Sequence, residues 1–368
     1  MRIGFATSDW ANFVTPEPVI GGSGFYRIAQ PAGWLAAAGH DVTLGTLMGE
    51  RSSGRLGVQP IRTYTHEEID WSPDVLVIQR WMVDDVAPAI QRAQREHGTV
   101  VVNDIDDWWL GLSPSNRAFE RKENRRDDVN QGHLMRALQV SDLVTVSTPF
   151  LAEKHAAKGQ RVKVLRNCID LDRWIPKPVC DAPPVVGWVG GIPWRSGDLE
   201  TMRGVMSHFL EEHHLAFHHS GYMREHGDDV RQRMGLADEV EVTVVGMVQI
   251  SEYPHLFDHI DIGIVPLSYR PFNEAKSCLK GMEYAAAGIP FVAAATSEYR
   301  WLERLGCGRT AKRPKDWLYH LRQLLDPQVR ANDRERNLAA VRTLSLERHG
   351  GDWERAYESL LAAHATAH

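Results

Sequence analysis

Short apolar runs recur along the chain with helix-like stretches between them. RIGFAT, DVTLGTL, VLVIQRW, TVVVNDID and LVTVSTP mark the first half; VVGWVGG, AFHHSG, EVTVVGMV, DIGIVPL and FVAAAT mark the second. Runs apolar at nearly every position suit strands buried on both faces, and their alternation with helical segments such as FYRIAQPAGWLAAAG predicts parallel sheets covered by helices. A helix is also expected near Leu199 to Leu210. Between the two series lies PKPVCDAPP, proline-rich and without periodicity, which reads as a short stiff connection. The pattern therefore predicts two doubly wound α/β units, residues 1–175 and 186–345, joined by a linker at 176–185. Beyond Pro314 it is only helical, and residues 346–368 are expected to form a helix that returns to the first unit.

The 368 residues exceed the usual size of a single core, which agrees with two units. Hydrophobic residues at 43% and charged residues at 24% lie in the globular range, and no apolar run is long enough to span a bilayer. MRIGFATSD enters an apolar strand without the regions of a signal peptide, so a cytoplasmic location is expected. Cys168, Cys180, Cys278 and Cys307 form no CxxC pair, which disfavours a zinc site or a disulfide framework. A net charge of −6 gives no general attraction to nucleic acid. One basic stretch, with Arg117, Arg121, Lys122, Arg125, Arg126 and Arg136, could grip a DNA backbone, although Glu120, Glu123, Asp127 and Asp128 interrupt it.

Ligands of open α/β sheets sit beyond the carboxyl ends of strands, where helix N-termini offer unpaired amides to anions. FNEAKSCLKGMEYAAAGIPFVAA, Phe272 to Ala294, follows such a strand. A helix starting about Ala275 would put Lys276, Lys280 and Glu283 on one face and Cys278, Leu279, Met282 and Ala286 on the other. Those charges form either a solvated face or a site for a diphosphate and for sugar or ribose hydroxyls. IGGSGFYRIAQ offers Gly22 and Gly24 for close backbone approach, but Arg27 stands where a dinucleotide fingerprint needs its third glycine. GWVGGIPWRSGD repeats the theme with Gly190, Gly191 and Arg195. In NDIDDWW, Asp104, Asp106 and Asp107 follow a strand; Asp104 and Asp106 spell a DxD, a metal-binding pattern short enough to arise often, and aspartates here also cap turns. His133, His155, His218 and His219 show no ligand spacing.

These stretches together resemble glycosyltransferases of the GT-B fold, two Rossmann-like units facing each other across a cleft, and are nearest to the retaining family four. IGGSGFYRIAQPAGWLAAAGHDVTLG resembles that family's first glycine loop and helix; VSTPFLAEKHAAKGQRVKVLRNCIDLDRW resembles its segment before the linker, with Asn167 and Asp170 in place; Phe272 to Ala294 resembles its donor-binding helix. The resemblance implies transfer of a sugar from a UDP- or GDP-sugar to an acceptor hydroxyl, with retention, without metal and without a permanently bound cofactor. Glu283 matches the ribose-binding glutamate of the family's pair. The sugar-binding partner should stand eight residues earlier, at Ala275, so that role falls to Glu274, Asn273 or the loop backbone. Gly191 and Ser196 occupy the places of the diphosphate-binding arginine and lysine, leaving Arg195, Lys276, Ser277 and Lys280 to hold the donor, with Gly22 and Gly24 beside it. Asp106, Asp107 and Glu274 are the catalytic candidates. A saccharide, lipid-linked or small-molecule acceptor is expected. DNA glycosylation of hydroxymethylated bases, nucleotide-sugar epimerisation and a non-catalytic scaffold are the alternatives.

Overall fold

A computed structural model describes residues 1–7, 9, 22–47, 54–56, 59–64, 71–82, 85–112, 126–192, 197–222 and 229–367. The first sheet comprises β1 (Arg2–Thr7), β2 (Asp41–Leu47), β3 (Gly54–Leu56), β4 (Gln59–Tyr64), β5 (Val75–Gln79), β6 (Val100–Ile105), β7 (Leu143–Val146) and β8 (Val162–Val164). They lie in the order β3-β4-β2-β1-β5-β6-β7-β8, parallel except for β3. The second sheet comprises β9 (Val186–Val189), β10 (Phe217–Tyr222), β11 (Val242–Gly246), β12 (Ile262–Val265), β13 (Phe291–Ala294) and β14 (Arg309–Ala311). Its order is β11-β10-β9-β12-β13-β14, all parallel.

Burial explains the apolar runs. Every residue of β5, β6, β9, β12 and β13 is buried, as strands with helices on both faces must be. Strand order reverses between β1 and β5 in the first sheet and between β9 and β12 in the second. Each reversal opens a crevice at the carboxyl ends of the strands.

The helix Gly351–Ala367 lies against the first sheet: Trp353, Ala356, Tyr357 and Leu360 join Ile3, Phe5, Ile28 and Val77 in one core. His40 Nε2 meets Glu354 Oε1 at 2.8 Å on the same face. A second tie is the bridge of Ile169 to Ser345, where the Leu346 amide donates to Ile169 O at 2.8 Å. Ala275, from the second series, is fully buried among Ile105, Leu138, Val146 and Leu151 of the first. Among the described residues no helix is long and apolar enough to cross a membrane.

The helix expected near Leu199 to Leu210 splits into a short 3-10 turn, Leu199–Met202, and the helix Val205–His213. Gly204, at φ +76°, divides them with a backbone angle that glycine adopts without a Cβ penalty.

Candidate functional site

The carboxyl ends of β1, β5 and β6 bring together Asp9, Arg80, Asp106 and Asp107. Arg80 follows β5 directly and holds φ +44°, a left-handed conformation that costs a non-glycine residue and persists where surroundings enforce it. Its guanidinium bonds Asp9, lies 3.8 Å from Asp106 Oδ1 and covers the Trp109 ring at 4.7 Å. Asp9 also accepts the Gly24 amide at 3.0 Å and the Ser23 hydroxyl, so the glycine loop ends on this carboxylate. Gly22, at φ +54°, starts the helical segment. Burial, and next the neighbouring Asp107, push the Asp106 carboxyl up to about 7 against the pull of Arg80. Asp107 Oδ1 faces Lys276 Nζ at 3.3 Å across the crevice.

Asp104 has a different task from Asp106. Arg27 donates to both its oxygens, Nε to Oδ1 at 2.9 Å and NH2 to Oδ2 at 2.6 Å, and the Thr145 hydroxyl adds a bond of 2.7 Å. Asp104 therefore holds the sheet together, and the DxD reading loses its first carboxylate to an internal ion pair. The same arginine explains the missing third glycine: residues Phe25–Ala29 form a π-helical turn that carries Arg27 inward, where NH1 also donates to Leu165 O at 2.5 Å.

Opposite this cluster, the single helix expected from Ala275 is broken. Pro271–Glu274 forms one turn and the helix proper is Leu279–Ala286. The Ala275 carbonyl accepts the Thr148 hydroxyl at 3.0 Å, and the Ser277 hydroxyl accepts the Asn167 amide at 2.8 Å. Thr148 thus takes a backbone carbonyl that a continuous helix would use internally. Lys276 consequently leaves the face of Lys280 and Glu283 and turns toward Asp107, with Nζ 4.4 Å above the Phe272 ring.

Glu283 lies on the helix Leu279–Ala286 and is only 2% exposed. Its Oε1 accepts the Tyr26 hydroxyl at 2.7 Å, while Oε2 accepts the Tyr253 hydroxyl at 3.0 Å and pairs with Lys280 Nζ at 2.6 Å. Burial, and next Glu283 itself, hold both phenols well above their ordinary range, so they stay neutral donors. Gly190 packs its α-carbon against the Trp188 ring, where an added Cβ would lie 2.7 Å from the indole. Close approach of backbone is thus required there for packing, and Gly190 O accepts a contact from His219 Nε2 at 2.9 Å.

Two candidates have their polar groups committed locally. Asn273 Nδ2 donates to Asp198 Oδ1 at 2.7 Å and to Ser268 O at 2.9 Å, which fixes the loop after β12. Glu274 Oε1 accepts the Ser297 amide at 3.0 Å and its hydroxyl, at the start of the helix Ser297–Arg304. Arg195 and Ser196 lie outside the described residues, as do Arg117, Arg121, Lys122 and Arg125 and the side chain of Arg126. Arg136 bonds Asp85 at 2.8 Å. Of the histidines, His155 Nδ1 meets Gln160 Oε1 at 2.7 Å and His218 Nε2 meets Ser220 Oγ at 2.8 Å, both structural contacts.

Asp9, Arg80, Tyr26 and Tyr253 were not singled out from sequence. Asp9 and Arg80 carry a signal, since each stands within two residues of the end of an apolar strand. Tyr253 carries none.

No protein family model matches the chain. A teichuronic acid biosynthesis glycosyltransferase of Bacillus subtilis, TuaH, is 28% identical over 206 residues, which are 52% of this chain and 49% of the relative. The match thus spans about half the length of that curated relative. Among solved structures, a sucrose-phosphate synthase from Thermosynechococcus elongatus superposes with TM-score 0.71 at 17% identity, over 99% of this chain and 100% of the other. Anabaena HepE in complex with UDP and glucose gives TM-score 0.68 at 15% identity, over 98% and 100%. Starch synthase IV from Arabidopsis thaliana bound to ADP and acarbose gives 0.65 at 13%, over 98% and 99%. Agreement over nearly the whole length of each gives this chain the GT-B fold.

Proposed function

We propose that the chain transfers a sugar from a nucleoside diphosphate sugar to an acceptor hydroxyl. The observation that carries this is a carboxylate, Glu283, buried on the helix that follows β12 with Lys280 at 2.6 Å, in a segment whose Lys276 reaches Asp107 of the carboxylate cluster at the first sheet. Glu283 accepts the ribose hydroxyls. Lys280, Lys276 and the first amides of the helix Leu279–Ala286 offset the diphosphate charge, a task that needs cations without demanding geometry. Asp106 and Asp107, with Arg80 behind them, orient the acceptor and stabilise positive charge developing on the sugar. Transfer proceeds with retention and without a metal ion, the departing phosphate taking the acceptor's proton. Similarity to a teichuronic acid biosynthesis glycosyltransferase of Bacillus subtilis supports a saccharide acceptor.

Incubation with a panel of UDP- and GDP-sugars, with saccharide, lipid-linked and hydroxymethylated-DNA acceptors, tests the reading by nucleotide release. Absence of release and of nucleotide binding throughout the panel refutes it. Within it, Glu283→Gln is expected to weaken nucleoside and nucleoside diphosphate alike, by about tenfold to a hundredfold, because an amide has one acceptor oxygen and no charge. Lys276→Ala is expected to weaken the diphosphate and leave the nucleoside unchanged. Calorimetric titration of both ligands into both variants separates the roles, and equal losses for Lys276→Ala would remove it from the diphosphate site.

A further inference from the structure

We infer that the Tyr26 hydroxyl occupies the ribose position on Glu283 and competes with the nucleotide for it; this rests on the donor reading above. Tyr26 and Glu283 lie 257 positions apart in sequence, on helical segments of the two different sheet units, yet their 2.7 Å bond is buried. The other two partners of the carboxylate, Tyr253 and Lys280, come from the same sheet unit as Glu283. Tyr26 is the partner contributed from across the crevice. It sits in the π-helical turn directly after the glycine loop, a rare backbone form found frequently at functional sites.

The chemistry of the two occupants is the same. A neutral phenol donates one O–H to Oε1, and a ribose hydroxyl donates one O–H to a carboxylate. At 2% exposure Glu283 offers no open face for a further donor. A ribose hydroxyl therefore gains a charge-assisted hydrogen bond only as the Tyr26 bond is given up, so the phenol's bond is subtracted from the ribose's contribution. Wild-type affinity then keeps only the part of the ribose contribution that exceeds the phenol's. The bond also pre-shapes the carboxylate: with Tyr253 and Lys280 fixing Oε2, Oε1 is presented in the orientation the incoming hydroxyl uses.

Tyr26→Phe removes the competing hydroxyl and keeps the ring, which packs edge-on against Phe25 with centroids 5.2 Å apart. Ligand-free variant leaves Oε1 without its donor, and the ribose supplies one. Titration with UDP and GDP should show about tenfold tighter binding than wild type for whichever nucleotide the wild type takes. Inorganic diphosphate, which has no ribose, should bind both proteins equally. Tyr253→Phe, on the Lys280-paired oxygen, should change nucleotide affinity much less.

Unchanged or weaker nucleotide binding by folded Tyr26→Phe, with wild type binding normally, overturns the competition and leaves the donor reading standing. Equal tightening of nucleotide and inorganic diphosphate also overturns it, since the phenol would then act on opening of the crevice and not on the ribose. If wild type binds no nucleoside diphosphate, the donor reading and the competition fall together.

Discussion

Arg27→Met should destabilise the protein by about 3–5 kcal/mol, because it leaves the Asp104 carboxylate buried with only the Thr145 hydroxyl as partner. Arginine and aspartate are both 1% exposed, so water cannot replace the lost guanidinium. The damage extends beyond the pair. Arg27 NH1 also bonds Leu165 O and, at 3.1 Å, Asn167 Oδ1, and Asn167 donates onward to Ser277 beside the helix Leu279–Ala286. Removal should therefore loosen the register of the two units as well as the first core. A double variant, Arg27→Met with Asp104→Leu, should recover much of the loss, since replacing a whole buried pair by apolar side chains of similar volume is far cheaper than stranding one charge. Chemical unfolding of both variants checks this. A cost below about 1 kcal/mol for Arg27→Met would show that the pair is hydrated or dispensable.

Both sheets could be read from sequence because a strand covered on two faces writes itself as an uninterrupted apolar run: VLVIQ and VVVNDI are buried at every position. The place of Asp106 and Asp107 was legible for a related reason, since they stand just past such a run, where ligand sites of this architecture lie, whereas Glu283 stands on the helix that follows one. The partner of each charge was not legible. Asp104 and Asp106 are two residues apart, yet one ends inside the sheet on Arg27 and the other at the crevice near Arg80. Their different roles depend on residues 77 and 26 positions away from them respectively. The helix break after Glu274 likewise follows from Thr148, 127 positions distant, and no local periodicity contains it. Glu274 and Asn273 looked available for a ligand because their bonds to Ser297 and Asp198 are made by the fold, not by neighbours in sequence.

Asp106→Asn should make the protein more stable at alkaline pH while removing most of its turnover. Burial, then Asp107, with a smaller contribution from Asp9, raise the folded carboxyl to about 7, whereas an unfolded aspartate titrates in the ordinary carboxylate range. Between those values the folded state holds a proton that the unfolded chain has released. Stability therefore falls as pH rises from about 4 to about 7 and stays low above it. Asparagine carries no charge to desolvate, so the variant should match wild type near pH 4 and exceed it at pH 8, by on the order of 3 kcal/mol. Turnover should move the other way: wild-type activity rises through about pH 7 as Asp106 ionises, and the variant should lose that limb along with about a hundredfold in rate. Gain of stability with loss of function marks a group retained for chemistry at the expense of folding. Melting curves and initial rates across pH 4–9 read both effects, and Arg80, 3.8 Å away, supplies the control: with Arg80→Met the rising limb should shift to higher pH, because the cation that opposes the raised carboxyl is gone. A variant no more stable than wild type at pH 8, with its rate intact, would leave Asp106 an ordinary solvated side chain at the end of β6.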